Sequence, residues 1–129
     1  MKKINYSRQS ILKDDLISVR KNLNSDFITR GPTNKKFEKK LSKFVDSKYC
    51  LTTNSATSGL YIACKALGLK ENDIVWTSPN SFVASANCAI MCGAKIDFVD
   101  INLNSYNLDI KILEKKLKIA KKKKNYLKS

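Results

Sequence analysis

The sequence contains no histidine, and it has only two prolines, four glycines and one tryptophan. Without histidine, Ser-His and Cys-His nucleophile pairs cannot be assembled within the chain, and the commonest metal ligand is missing. Acidic side chains are scarce, 11 Asp and Glu against 25 Lys and Arg. No apolar run approaches the ~20 residues of a membrane span. The opening Met1-Lys2-Lys3-Ile4-Asn5-Tyr6 has no apolar stretch after its lysines, so it does not read as a signal peptide, and a soluble cytoplasmic chain is the expectation. Neither GxxxxGK nor GxGxxG occurs, which excludes a P-loop and a dinucleotide-binding fingerprint.

The 129 residues are 43% apolar and 28% charged, the composition of one modest globular domain. The net charge is +14, and residues 111–129 supply +8 of it through nine lysines and one glutamate. Two readings of that run are open: a solvated helix face, or a small basic module for nucleic acid or anionic membrane. No zinc-finger spacing and no aromatic ladder accompanies the lysines, so the first is preferred and neither nucleic acid nor membrane is expected as a partner. The four cysteines, Cys50, Cys64, Cys88 and Cys92, are expected to be buried thiols acting as small hydrophobes. Cys88 and Cys92 stand one helical turn apart, but with no histidine and no CxxC a metal site is not expected.

Hydrophobic periodicity orders the chain. Leu12, Leu16, Val19 and Leu23 share one helical face, with Asp14 and Asp15 in the first turn, where the helix dipole favours them. Gly31-Pro32 breaks the chain, and Phe37, Leu41, Phe44 and Val45 form the stripe of a second helix. Residues 48–52 read as a strand. A third helix carries Leu60, Ala63, Cys64 and Leu67 and closes at Gly68. Residues 73–77 read as a second strand. Ser78-Pro79-Asn80-Ser81 can cap a helix over about 82–92 that is apolar nearly all round and therefore expected to be buried on most sides. Gly93 ends it, 95–99 reads as a third strand, and Ile110, Leu113, Leu117 and Ala120 mark a last amphipathic helix.

Strand and helix alternate, which predicts an α/β fold with a parallel sheet and covering helices. Such sheets bind ligands beyond the carboxyl ends of their strands, so the turns 53–58 and 78–82 are the candidates. At 53–58 a helix N-terminus is joined by the hydroxyls of Ser55 and Thr57, with Ala56 leaving room for a ligand. The turn fits an anion such as a phosphate, but on spacing alone a plain N-cap made by Asn54 or Ser55 is preferred, because caps are so common. Phe82 could stack on a flat ligand, or begin a buried helix as a core aromatic.

These turns also carry a likeness. Asn54-Ser55-Ala56-Thr57-Ser58-Gly59-Leu60, the run from Trp76-Thr77-Ser78-Pro79-Asn80-Ser81-Phe82 to Asn87, Cys92-Gly93-Ala94 and Phe98-Val99-Asp100-Ile101 together resemble the DegT/DnrJ/StrS aminotransferases of sugar biosynthesis. Tyr6 to Ile11, Phe27 to Pro32, Phe37-Glu38 and Tyr106-Asn107-Leu108-Asp109 fit the same pattern, so the likeness covers about 4–115. Within the family these motifs are most similar to the branch that makes the 4-amino sugar precursor of pseudaminic acid.

The resemblance implies the large domain of a pyridoxal 5'-phosphate enzyme of fold type I, a homodimer with active sites at the subunit interface. It implies that Ala56 and Thr57 hold the cofactor phosphate and that Phe82 stacks on the pyridine ring. Tyr6 and Thr29-Arg30-Gly31 would lie near the nucleotide-sugar. Glutamate would donate the amine and a UDP-linked 4-keto-6-deoxy-N-acetyl-altrosamine would receive it at C4. The Schiff-base lysine and the aspartate facing the ring nitrogen have no counterpart in this chain, so no catalytic residue is assigned. The chain is expected to be the N-terminal piece of a longer enzyme and inactive alone. On this reading 1–32 is an N-terminal segment and helix, 33–120 a partial cofactor-binding domain and 121–129 a lysine-rich tail.

Overall fold

The computed structural model describes residues 4–126, with side chains through residue 122. Five helices and two strands follow one another as α1 (Lys13–Leu23), α2 (Pro32–Phe44), α3 (Ala56–Ala66), β1 (Ile74–Thr77), α4 (Ala84–Met91), β2 (Lys95–Phe98) and α5 (Ile110–Tyr126). The chain divides into two compact units, Met1–Thr52 and Thr53–Ser129. The first unit holds α1 and α2, and the second holds α3 to α5 with both strands. The lysine-rich run from 121 continues α5 as far as Tyr126, and the rest of that segment lies outside the described residues.

In the first unit, α1 starts at Leu12, whose backbone N–H donates to the Asp15 carboxylate at 2.8 Å. Pro32 opens α2 at its first turn, where a missing N–H costs nothing. The Thr33 hydroxyl donates to Asn22 Oδ1 at 2.6 Å and ties the start of α2 to the end of α1. Residues 48–52 are not a strand. A strand needs a neighbour to satisfy its ladder, and here side chains take that role. The Ser47 hydroxyl donates to the Tyr49 carbonyl at 2.7 Å, and Glu38 of α2 accepts from both the backbone N–H and the hydroxyl of Thr52, each at 2.8 Å. Those two bonds hold the Glu38 carboxyl below the usual carboxylate range.

The second unit is built on α4. β1 and β2 pair in parallel, Ile74 with Lys95 through Thr77 with Phe98. The ladder extends through Lys95 N–H to the Asp73 carbonyl at 2.9 Å and Val99 N–H to the Thr77 carbonyl at 3.0 Å. The crossover between the strands carries α4, which packs against α3 and against both strands. Ala84, Cys88, Ala89 and Cys92 supply its buried face, and Ala94 and Val99 complete the core. The expectation that this helix is enclosed on most sides is not met, because Val83, Ile90 and Met91 on its other face are more than half exposed. It also begins two residues later than expected, at Ala84. No side chain caps it, since the Ser81 hydroxyl pairs with that of Ser85 at 3.1 Å. Of the cysteines, Cys88 and Cys92 are buried, whereas Cys50 and Cys64 are only half-buried. Burial and the neighbouring Cys88 and Cys92 thiols push the Cys64 thiol up.

Helices α3 and α4 stop as their glycines require. Gly68 has φ +76° and Gly93 φ +80°. In each case the paired bonds of a left-handed helix end form: Leu69 to Cys64 and Gly68 to Lys65, then Ala94 to Ala89 and Gly93 to Ile90, all at 2.9–3.0 Å.

On the opposite face of the sheet, Trp76 and Asp97 are register partners, and the indole Nε1–H donates to Asp97 Oδ2 at 2.9 Å. Lys116 of α5 donates to the same carboxylate oxygen and to the Phe98 carbonyl, both at 2.6 Å, with its ammonium 5.9 Å from the Trp76 ring centre. The sheet thus has α4 on one face and α5 on the other, the α/β arrangement expected from the sequence with two described strands rather than three.

Two predictions follow from this packing. First, Leu67 (88% exposed), Phe44 (87%) and the α1 stripe are uncovered, far more apolar surface than a stable monomer leaves open. The isolated chain is expected to self-associate or to remain partly molten, with light scattering giving species above the monomer mass. A sharp, reversible melt as a monomer would contradict this. Second, Lys116, the Phe98 backbone N–H and Trp76 hold the Asp97 carboxyl below its usual range, with Lys116 the largest influence. A depressed carboxylate contributes stability above its unfolded pKa of ~3.9 and loses it as pH falls through the lower folded value. Acidification below about pH 4 is therefore expected to release the indole and shift Trp76 fluorescence, and Asp97→Asn is expected to abolish that step.

Candidate cofactor site

Turn 53–58 is shaped by hydroxyls. Ser55 is the N-cap of α3, its Oγ accepting from the Ser58 backbone N–H at 3.1 Å, and its own hydroxyl donates to Ser58 Oγ at 3.0 Å. The Thr53 hydroxyl donates to the Ser55 carbonyl at 2.8 Å, which turns the chain into the helix. A Cβ on Gly59 would meet Thr53 Oγ1 at 3.3 Å, so a small residue suits that position. Ala56 and Thr57 follow as the first two helical residues. Among the described residues their backbone N–H groups donate to nothing, while the N–H groups of Ser58 and Gly59 are taken by Ser55. The cap and the anion readings are therefore compatible. Ser55 caps the third N–H, and the first two remain directed out of the helix with the positive end of its dipole behind them.

Turn 78–82 leaves the carboxyl end of β1. Asn80 N–H donates to Ser78 Oγ at 3.2 Å, and Asn80 Nδ2 donates to the Tyr106 carbonyl at 3.3 Å. Phe82 precedes the helix and is 76% exposed, which makes it a free ring and not a core aromatic. It borders a hollow of about 250 Å³ with Thr77, Pro79, Ser85 and Phe98.

The remaining sequence-selected residues belong to the first unit. Tyr6 is fully exposed at a bend, and Thr29 and Arg30 are exposed. Arg30 has φ +49°, a left-handed turn just ahead of α2. Gly31 is buried, and a Cβ there would stand 2.7 Å from Phe27 Cβ and 3.1 Å from the Phe27 carbonyl, so only glycine fits. Ala56 and Thr57 are neighbours on α3, and α3 packs on the helix that Phe82 leads into. Sequence reasoning named Glu38 and Asn80 only within motifs and assigned neither its contact, Glu38 holding Thr52 ahead of the first turn and Asn80 tying down the second. Their polar contacts span 14 and 26 residues and leave no local pattern.

These residues suit a phosphorylated, flat cofactor: two free N–H donors with adjacent hydroxyls for a phosphate, and an exposed ring for an aromatic plane. Among the described residues no cluster of His, Cys, Asp or Glu could hold a metal ion, and no helix is long and apolar enough to cross a membrane.

Comparison with known proteins agrees on the class, sugar-modifying aminotransferases. The profile of the DegT/DnrJ/EryC1/StrS aminotransferase family matches residues 9–125, and the chain belongs to that family. Over 114 residues it is 42% identical to the UDP-4-amino-4,6-dideoxy-N-acetyl-beta-L-altrosamine transaminase of Campylobacter jejuni, a match covering 88% of this chain and 30% of the relative. It is 38% identical over 104 residues to a spore coat polysaccharide biosynthesis protein of Bacillus subtilis, covering 81% of this chain and 27% of that one. Its fold superposes on a Streptococcus pneumoniae protein assigned as a sugar aminotransferase, solved in PLP and PMP forms, with TM-score 0.81 and 28% identity over 87% of this chain and 29% of the other. The chain thus spans about 30% of the length of the curated relatives it matches.

The cap carries its own prediction. Ser55→Ala removes the acceptor for Ser58 N–H and is expected to destabilise α3 by ~1 kcal/mol. Hydrogen exchange should quicken at Ser58 and Gly59 while amides of α5 are unchanged.

Proposed function

We propose that this chain is the N-terminal part of a pyridoxal 5'-phosphate transaminase that moves an amino group from glutamate to C4 of a UDP-linked 4-keto-6-deoxy-N-acetyl-hexosamine, in pseudaminic acid biosynthesis. The observation that carries the reading is the pair of unpartnered N–H groups at Ala56 and Thr57. They sit in a motif shared with the aminotransferase family, on a fold whose relatives are solved with this cofactor. Bound there, the cofactor would act as the electron sink for moving the amine. The chain's own residues would bind and orient it: Ala56 and Thr57 through the phosphate, aided by the Thr57 hydroxyl, and Phe82 against the ring face. Tyr6 and Thr29-Arg30-Gly31 would contribute to the nucleotide-sugar pocket, Arg30 offering a cation for a diphosphate. The working enzyme would be a cytoplasmic homodimer that uses neither nucleic acid nor membrane.

A second reading within the family keeps the same cofactor turn but takes another nucleotide or a C3 ketone. The B. subtilis relative from a different polysaccharide route favours keeping it. The test is to express the gene product that includes whatever coding sequence follows Ser129, then supply glutamate and the UDP-4-keto sugar. A C4-amino product supports the first reading; turnover only with another nucleotide or at C3 supports the second.

The 129-residue chain alone is not expected to hold the cofactor on any one lysine. After incubation with pyridoxal phosphate and borohydride reduction, peptide mapping is expected to show scattered, substoichiometric labelling of the many surface lysines. A single lysine labelled to completion would overturn the assignment of the catalytic lysine to a longer parent.

A further inference from the structure

The loop between β2 and α5 carries more hydrogen bonding than a connector requires. Asn102 Oδ1 accepts from the backbone N–H groups of Asn104 and Ser105 at 3.0 and 3.3 Å. Its backbone N–H donates to the Asn107 carbonyl and its carbonyl accepts from Tyr106 N–H, both at 2.8 Å. Ile101 and Leu108 bridge antiparallel across the loop, and the Asp109 N–H returns to the Asp100 carbonyl at 2.9 Å. Asp109 then caps α5, accepting from Lys111 and Ile112 N–H at 2.8 and 3.1 Å. Both ends of the loop are thereby fixed. At its tip Tyr106 is held at φ +57°, a conformation an aromatic residue rarely adopts.

That conformation has a partner. The Tyr106 carbonyl accepts from Asn80 Nδ2 at 3.3 Å, and Asn80 lies two residues before Phe82. The Phe82 carbonyl in turn accepts from Ser85 N–H at 3.0 Å, at the start of α4. The turn bearing the exposed ring is thus anchored at one end by α4 and at the other by a side chain reaching the rigid loop. An exposed ring on a free turn would sample many orientations, and binding would have to order it.

We infer that Asn80 is a positioning residue for Phe82: through the Tyr106 carbonyl it transmits the rigidity of the 101–109 loop to the turn that presents the stacking ring to the cofactor. The inference rests on the proposed role of Phe82, and the experiment separates the two.

The gene product that includes the coding sequence after Ser129, freed of cofactor, is titrated calorimetrically with pyridoxamine 5'-phosphate, which cannot react with lysines. Hydrogen exchange over 78–83 reports the turn without any ligand. Asn80→Ala is expected to quicken exchange there and to weaken binding about three- to tenfold, the span of one lost neutral hydrogen bond. Tyr106→Gly keeps the carbonyl and suits the left-handed backbone, so it is expected to leave both readouts unchanged. Should Asn80→Ala fail to fold, Asn80→Asp, similar in shape and without the donor, carries the same expectation. Unchanged exchange in the Asn80 variants, or faster exchange with unchanged binding, overturns the positioning role. An effect of Tyr106→Gly equal to that of Asn80→Ala overturns it too, by placing the interaction on the tyrosine ring. If Phe82→Ala leaves binding unchanged, it is the stacking role of Phe82 that fails, while the exchange result still decides the tether.

Discussion

The second unit depends on how closely α4 can approach its neighbours. Two parallel strands cannot be joined by a tight turn; the chain must cross over, and the crossover element must lie against the sheet. Here that element presents Ala84, Cys88, Ala89 and Cys92 to α3 and to the strands. Side chains this small bring helix and sheet backbones near each other, and they leave little tolerance for enlargement, since overpacking a tight core costs ~1–3 kcal/mol. The same close crossover decides where the chain emerges from β1. Thr77 ends the strand, the next six residues must climb over the sheet edge before α4 begins, and they leave Phe82 and Val83 exposed, Phe82 the more so.

Away from that core, the arrangement is held by polar contacts at chain reversals. Glu38 fixes Thr52, Ser55 fixes Ser58, Asn80 reaches Tyr106, and Lys116 with Trp76 converges on Asp97. All lie on partly solvated surfaces, so each contributes modestly to stability. Their value is directional: Ser55 and Asn80 fix the backbone path of the two candidate turns, Glu38 fixes the segment after α2, and Lys116 ties α5 to the sheet. The large positive charge plays little part in this. Apart from Lys116, whose ammonium bridges sheet and helix, the lysines of α5 with described side chains lie on its solvated side, and Lys118 with Glu114 makes an ordinary helical pair.

Much of this was legible in the sequence. The stripes of α1, α2 and α5 and the stops at Gly68 and Gly93 place the helices within a residue or two, because 3.6-residue periodicity and left-handed glycines are local properties. Strands 74–77 and 95–98 were legible because their β-branched and aromatic residues are flanked by turn residues. Residues 48–52 have the same composition yet form no strand, since pairing is a property of the neighbour and not of the segment. The half-buried Cys50 and Cys64 and the exposed outer face of α4 escaped for the same reason: burial depends on what covers a face. In the candidate site, a helix start with free N–H groups was readable from the Asn54-Ser55 pair, but which of the two caps it was not, because either side chain can accept from the first turn. The exposure of Phe82 was not, because its composition suits a core as well as a surface, and the anchors Glu38 and Asn80 act across distances that no local pattern records.

The uncovered apolar stripes of α1, α2 and α4 have a consequence for biosynthesis. On the proposed reading of this chain as the N-terminal part of a longer enzyme, it would leave the ribosome first, while the rest is still being made. Until then Leu16, Phe37, Ile90 and their neighbours face water, on a segment whose buried core is a handful of small side chains. Nascent chains with such surfaces are prone to premature association. The pace of translation through the following region, and the holding chaperones that meet it, would then govern the yield of folded enzyme more than the intrinsic stability of this segment.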